Sequence, residues 1–169
     1  MIARHTITVP LVTLALLASR GLKAQYVEPA SVDSVVLERT LCFGVCPAYR
    51  LSLTRAGSVH FESRNPGDSG RIAFATIPTA DFQNFIALGL ASTAFFALPD
   101  RIRDEPKYCG NEATDHPTVT VTLYAGARVK RVEDYLGCMW APVALRAFED
   151  RIDQAAQSSR WVRLARGPR

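Results

Sequence analysis

The tightest corner of the chain is closed by two cysteines, and this corner constrains the fold more than any other stretch. It lies between two strand-like runs and reads Cys42-Phe43-Gly44-Val45-Cys46-Pro47. Gly44 can adopt a positive φ at little steric cost, whereas Pro47 fixes its own φ and favours an extended Cys46. The two sulfur atoms therefore lie on either side of a bend, where a bridge between them is sterically plausible.

The same corner resembles the opening signature of a bacterial family known only as a domain of unknown function. The resemblance begins at Leu37-Glu38-Arg39-Thr40, Cys42-Phe43-Gly44-x-Cys46-Pro47 and Tyr49. Weaker matches follow at Phe96-x-Leu98-Pro99-Asp100, Thr114-Asp115-x-Pro117, Lys130-x-Val132 and Ile152-Asp153, so the resemblance spans roughly residues 33–157. It implies an export-associated α+β domain and supplies no catalytic residues.

The first residues have the pattern of a secretory signal. Arg4 gives a positive start, residues 7–18 form an apolar run, and Leu22-Lys23-Ala24 offers a small residue for cleavage. A membrane span needs about 20 apolar residues, and Ser19-Arg20 ends this run too early. We therefore predict that residues 1–24 are a signal peptide, that the protein is exported to the periplasm or the exterior, and that no stable membrane span remains after cleavage. An uncleaved N-terminal anchor is the alternative.

The net charge of the sequence does not indicate a nucleic-acid partner. The formal charge is +4, and the predicted signal carries three basic residues and no acid, which leaves +1 on the mature chain. Much of the remaining positive charge lies in the predicted basic tail, residues 159–169, at Arg160, Arg163, Arg166 and Arg169. This tail could bind an anionic surface, but we expect Trp161 to fold back onto the sheet instead.

The four cysteines predict two disulfides, because an exported chain of this size oxidises its cysteines. Three connectivities are possible and the sequence does not select one; we favour Cys42–Cys46 and Cys109–Cys138. A redox role for the first pair is disfavoured, since its spacing is one residue longer than Cys-x-x-Cys and the residues after Pro47 indicate a strand. Zinc is disfavoured by the same export argument.

Hydrophobic periodicity predicts the fold class. Apolar residues alternate with polar ones in two pairs of runs, at Tyr49, Leu51, Leu53, Val59 and Phe61, and again at Val119, Val121 and Leu123. Helical spacing relates Phe82, Phe85, Ile86 and Gly89, and later Leu145, Phe148, Ile152 and Ala155. On the exposed side of the last helix, Arg146 and Asp150 have the spacing of an ion pair.

The order hairpin, helix, hairpin, helix predicts an α+β fold. We expect an antiparallel sheet from two hairpins plus flanking strands, with two helices packed on one face. A linker over residues 25–32 should precede a single domain over residues 33–158.

A polar segment, Arg101–Pro117, has no periodicity and is predicted to be irregular. Its acidic character marks a candidate interaction loop, with Asp100, Asp104, Glu105, Asp115 and His116 as its residues. The carboxylates, including Glu112, lack the alternating spacing of a calcium loop. We therefore predict no metal and no cofactor.

These observations favour a non-enzymatic, disulfide-stabilised binding or interaction domain of the bacterial envelope or exterior. No acid, base and nucleophile can be assembled from the sequence, so we assign no catalytic residue. The expected partner is a protein or envelope component, and the sequence leaves the oligomeric state open. Two alternatives remain: a thiol–disulfide oxidoreductase using Cys42 and Cys46, and a metal-binding protein using the acidic loop.

Overall fold

A computed structural model describes residues 27–163, so the predicted signal peptide and the end of the predicted tail lie outside the described residues. The fold is a six-stranded antiparallel sheet with helices, and it confirms the predicted α+β class. The strands are β1 (Ser34–Arg39), β2 (Tyr49–Thr54), β3 (Ser58–Ser63), β4 (Ile72–Thr76), β5 (Thr118–Ala125) and β6 (Arg128–Tyr135). The helices are α1 (Thr79–Thr93), α2 (Pro106–Cys109) and α3 (Val143–Ala156).

The strand order is β4-β3-β2-β1-β5-β6. Hairpins connect β2 to β3 and β5 to β6, as the alternation predicts, and β1 joins them by pairing with both β2 and β5. Leu37 of β1 lies opposite Leu51 on one side and Val121 on the other. The strand that precedes the cysteine corner, β1, is therefore an inner strand of the sheet. Its C-terminal end lies between the ends of the neighbouring strands β2 and β5.

One face of the sheet packs against α1 and α3. The α1 stripe Phe82, Phe85, Ile86 and Gly89 is buried as predicted, and a Cβ on Gly89 would lie 2.2 Å from the Phe148 ring of α3. In α3 the buried positions are Leu145, Phe148, Glu149, Ile152 and Ala156. The stripe thus ends at Ala156, four residues after Ile152, and not at Ala155. It also contains a glutamate that periodicity did not predict.

The predicted ion pair between Arg146 and Asp150 is wrong. Arg146 donates to Asp134 of β6 at 3.0 Å, and Asp150 accepts from Arg39 of β1 at 3.4 Å. Both side chains find partners on the sheet, Arg146 on β6 and Asp150 on β1.

Two segments are more regular than the sequence suggests. The predicted irregular segment Arg101–Pro117 contains α2 and a 3-10 turn, Ile102–Asp104, because Ile102 and Cys109 are buried in the core. In the segment predicted as a linker, Val27 and Val32 are buried on either side of the 3-10 turn Pro29–Ser31. At the other end, Trp161 lies 5.5 Å from the Phe61 ring, which confirms that it folds back onto the sheet.

Within residues 27–163, the helices are all too short or too polar to cross a membrane.

Candidate functional site

A cleft of about 610 Å³ opens beside the cysteine corner, at the end of the sheet where β1 ends and β2 begins. One wall comes from the corner, another from the strand after the acidic loop, and a third from the turn after α3. Its apolar lining consists of Val45, Pro47, Pro117, Val119, Leu136 and Val162. Most of the exposed lining is apolar, which is typical of sites that bind small molecules or partner segments.

The corner is held in place on both sides. Cys42 and Cys46 form a disulfide with Cα atoms 5.5 Å apart, and Gly44 between them has a φ of 145°. The amide of Phe43 donates to the carbonyl of Asp115 at 3.1 Å, and the amide of Ala48 donates to Asn65 Oδ1 at 2.7 Å. The five-residue loop is thus a fixed projection and not a free tether.

This projection presents apolar side chains to solvent. Phe43 is 89% exposed, Leu41 and Val45 are also exposed, and Val45 forms part of the cleft wall. Exposed apolar residues that lie close together are a common feature of interaction sites. The bridge reduces the number of conformations that the loop loses when a partner binds.

The polar end of the cleft is built on Asp153 of α3. Its Oδ1 accepts hydrogen bonds from the Tyr49 hydroxyl at 2.7 Å and from the Ser158 hydroxyl at 2.5 Å. Its Oδ2 accepts from Arg39 Nε at 2.9 Å. Asp150, one helical turn earlier, receives a second contact from Arg39 and remains largely exposed. Strand β1, strand β2 and helix α3 are therefore joined at one point in the cleft.

These side chains hold one another in fixed positions, and the Tyr49 hydroxyl is not activated as a nucleophile. Burial and the neighbouring Asp153 carboxylate raise the pKa of Tyr49 above its ordinary value. The hydroxyl therefore stays protonated and donates a hydrogen bond to Asp153. Arg39 is held by two carboxylates. The cleft offers fixed donors and acceptors at one end and apolar surface along its length.

Behind the cleft, α3 and β6 enclose further charged residues. Asp134 is fully buried, and its Oδ2 receives Arg146 Nε at 3.0 Å. Its Oδ1 has no hydrogen-bond partner among residues 27–163. Glu149 is 2% exposed, and burial together with the charge of Asp134 raises its pKa to about 8. Hydrophobic periodicity did not predict the burial of Glu149, because a glutamate in a helix is expected on the exposed side.

The second disulfide lies behind the same end of the molecule. Cys109 and Cys138 are buried and bridged, with Cα atoms 4.2 Å apart, so both pairings favoured from the sequence are at bonding distance. The bridge ties α2 to the turn before α3. The amide of Ala113 donates to Gly137 in the same turn, at 2.9 Å.

The residues of the predicted interaction loop do not form one cluster. Asp115 and His116 lie beside the cysteine corner and β6, where the His116 amide donates to the Tyr135 hydroxyl at 3.2 Å. Asp100 instead pairs with Lys130, Asp104 pairs with Arg101, and Glu105 starts α2. In the part of the chain that the structure describes, no three His, Cys, Asp or Glu side chains come together as metal ligands.

A family model described as "Domain of unknown function (DUF6438)" matches residues 33–156, from the residue before β1 to the last residue of α3. The chain belongs to this family. Among curated proteins, none matches it.

Membership in DUF6438 gives the domain a boundary but no activity. Six residues of the motifs that carry the family resemblance line the cleft: Arg39, Cys46, Pro47, Tyr49, Pro117 and Asp153. Sequence reasoning did not select Arg39, Tyr49 or Asp153 as site residues. The resemblance was the one signal that brought them together.

We expect the two bridges of this DUF6438 domain to differ in their contributions to stability. By loop-closure entropy, Cys109→Ala with Cys138→Ala should lower the free energy of unfolding by about 3.6 kcal/mol, and Cys42→Ala with Cys46→Ala by about 2 kcal/mol. The sequence separations are 29 and 4 residues. Urea denaturation of both variants would measure this, after non-reducing peptide mapping of the pairing. A larger loss from the corner bridge would contradict the argument.

Proposed function

We propose that this protein is an exported, non-enzymatic binding domain of the bacterial envelope or exterior, and that its ligand occupies the cleft beside the cysteine corner. The observation that carries the proposal is the cleft itself. A rigid loop with an exposed phenylalanine stands next to an apolar groove that ends in fixed polar groups. That combination suits recognition of a partner better than chemistry on a substrate.

The lining of the cleft indicates which chemical groups it would bind. The apolar walls favour an aliphatic or aromatic group, and exclusion of water from them supplies the affinity. At the polar end Asp150 is exposed, whereas the Arg39 side chain is largely covered. A ligand with a hydrogen-bond donor at that end, such as a segment of an envelope protein or another envelope component, would fit both parts.

Two disulfides support the exported location, since such bridges persist in oxidising compartments. The thiol–disulfide oxidoreductase alternative gains no support from the corner. Catalytic thiolates are commonly stabilised at a helix N-terminus, whereas here Pro47 leads into strand β2. The metal-binding alternative gains none from the acidic residues, of which Asp100, Asp104 and Glu112 are held in separate ion pairs.

Two valines allow a matched test of the cleft. Val45 lies in the cleft wall and is 57% exposed, whereas Val129 lies on β6, outside the cleft lining, and is 59% exposed. We expect Val45→Arg to reduce binding of the mature protein to an isolated envelope fraction of the producing bacterium by at least about tenfold, because it places a charge in an apolar wall. Val129→Arg should leave binding unchanged. Cosedimentation across a dilution series measures both.

Both substitutions are at exposed positions, so each should change the free energy of unfolding by no more than about 0.5 kcal/mol. Urea denaturation verifies that the variants are folded before binding is compared. Equal binding by the two variants, or no cosedimentation of the parent protein, would refute the proposed site.

A further inference from the structure

A second group of charged residues lies on the opposite, open face of the sheet. Glu38 of β1 accepts contacts from three arginines of separate segments. Its Oε1 lies 3.0 Å from Arg50 Nη1 and 3.1 Å from Arg64 Nη1, and its Oε2 lies 3.6 Å from Arg131 Nη1. One carboxylate is thus shared by three guanidinium groups.

Glu38 cannot neutralise this cluster alone. The other carboxylates on this part of the face are Glu62, opposite Arg50 in the strand register, and Glu133, 3.6 Å from Arg131. Glu133 is also shared with Arg101. Each guanidinium carries five N–H donors, and the contacts to Glu38 use only some of them. The three arginines and the three glutamates therefore balance in formal charge, and the cluster retains free hydrogen-bonding capacity.

Two of the three arginines, Arg64 and Arg131, border a cavity of about 500 Å³. Glu38 and Arg39 also lie on its wall, together with Thr120 and Leu41. Thr120 is buried, and its hydroxyl receives Arg131 Nη2 at 3.5 Å, which helps to orient that guanidinium. Thr40 and Leu41 line this cavity while Val45 and Cys46 line the cleft, and Arg39 lines both spaces.

We infer that this cavity binds a phosphate group. Two exposed guanidinium groups, converging from β6 and from the end of β3, can each present paired N–H donors to phosphate oxygens. Of the charged residues that line the cavity, Arg39 is already held by Asp150 and Asp153. Arg64 and Arg131 exceed the remaining carboxylate, Glu38, by one positive charge at the cavity wall, which favours an anionic ligand such as a phosphate ester. This site adjoins the cleft, with which it shares Arg39, and would serve a free phosphate compound or the headgroup of an anionic lipid.

Arginine variants test the site with inorganic phosphate as the probe. We expect Arg64→Gln and Arg131→Gln each to weaken phosphate binding by the mature protein about tenfold at low ionic strength, measured by NMR titration. Arg103→Gln is the matched control, since Arg103 and Arg64 have similar exposure and Arg103 lies outside the cavity lining. Glu38→Gln should tighten phosphate binding, because it removes the competing carboxylate.

A second arm identifies the source of the phosphate. Cosedimentation with vesicles of phosphatidylcholine, with and without phosphatidylglycerol, measures lipid binding. Arginine-dependent binding to the anionic vesicles assigns the site to a headgroup, and arginine-dependent binding of phosphate without vesicle binding assigns it to a soluble ligand. Three results would overturn the inference: no binding in either arm, equal loss in Arg103→Gln, or binding of acetate in place of phosphate.

Discussion

Replacing Arg146 by methionine is expected to lower the free energy of unfolding by about 3 to 5 kcal/mol at neutral pH, because it leaves a buried carboxylate without its cation. Asp134 is fully buried, and Arg146 Nε at 3.0 Å is its ion-pair partner. Arg146 also donates to the carbonyl of Cys138 at 2.8 Å, so the turn before α3 loses a donor as well. Methionine keeps most of the aliphatic volume, which isolates the loss of charge.

The control is a solvent-exposed ion pair, Arg55 with Asp33, that has a similar contact distance. Arg55 contacts Asp33 at 2.8 Å, but both side chains are exposed, so Arg55→Met should cost less than about 1 kcal/mol. The double variant Arg146→Met with Asp134→Leu should recover much of the loss, since it removes both charges. Urea denaturation gives all of these values. A cost for Arg146→Met as small as that for Arg55→Met would show that Asp134 is stabilised by other groups.

The sequence predicts the sheet well because the information is local. Alternation at Tyr49, Leu51 and Leu53 shows which face of β2 is buried without reference to any other strand. The same holds for the α1 stripe, where the spacing of Phe82, Phe85 and Ile86 indicates a single buried side. Both predictions follow from the periods of a strand and a helix.

The charged residues of the site could not be predicted in this way. Arg39 and Asp153 are 114 residues apart, and their contact depends on α3 crossing the end of β1. Arg146 and Asp150 have ideal spacing for a helical pair, yet β6 and β1 present them with better-placed partners. A total charge count likewise cannot show that three arginines converge on Glu38, since they come from different segments.

The cysteine corner is an intermediate case. Its composition indicates a bend and a bridge, and the structure contains both. Whether the corner lies next to a concave surface depends on Pro117, Leu136 and Val162, which arrive from distant segments. Local sequence therefore predicts the projection, whereas tertiary packing determines the cleft beside it.

Glu149 is expected to make the protein less stable as the pH rises from about 4.5 to about 8. Burial and the charge of Asp134 raise its pKa in the folded state to about 8, against 4.5 for an ordinary glutamate. Within this window the unfolded chain releases the proton while the folded chain retains it, so the free energy of unfolding falls with increasing pH. The groups that face Glu149 are Asp134, Arg39, Arg146 and Asp150, and the two arginines oppose the shift.

Glu149→Gln removes this dependence, because the amide resembles the protonated carboxyl and cannot ionise. We expect the contribution lost by the parent protein between pH 5 and pH 8 to be roughly 3 to 5 kcal/mol, and the variant to be the more stable protein at pH 8. Urea denaturation across this range, with the exposed Asp81→Asn of α1 as the control, measures the difference. Parallel profiles for Glu149→Gln and the parent would mean that Glu149 is ionised in the folded state, paired with Arg39 and Arg146. A variant less stable than the parent at pH 8 would mean that this ionised carboxylate contributes to the stability of the α3 interface.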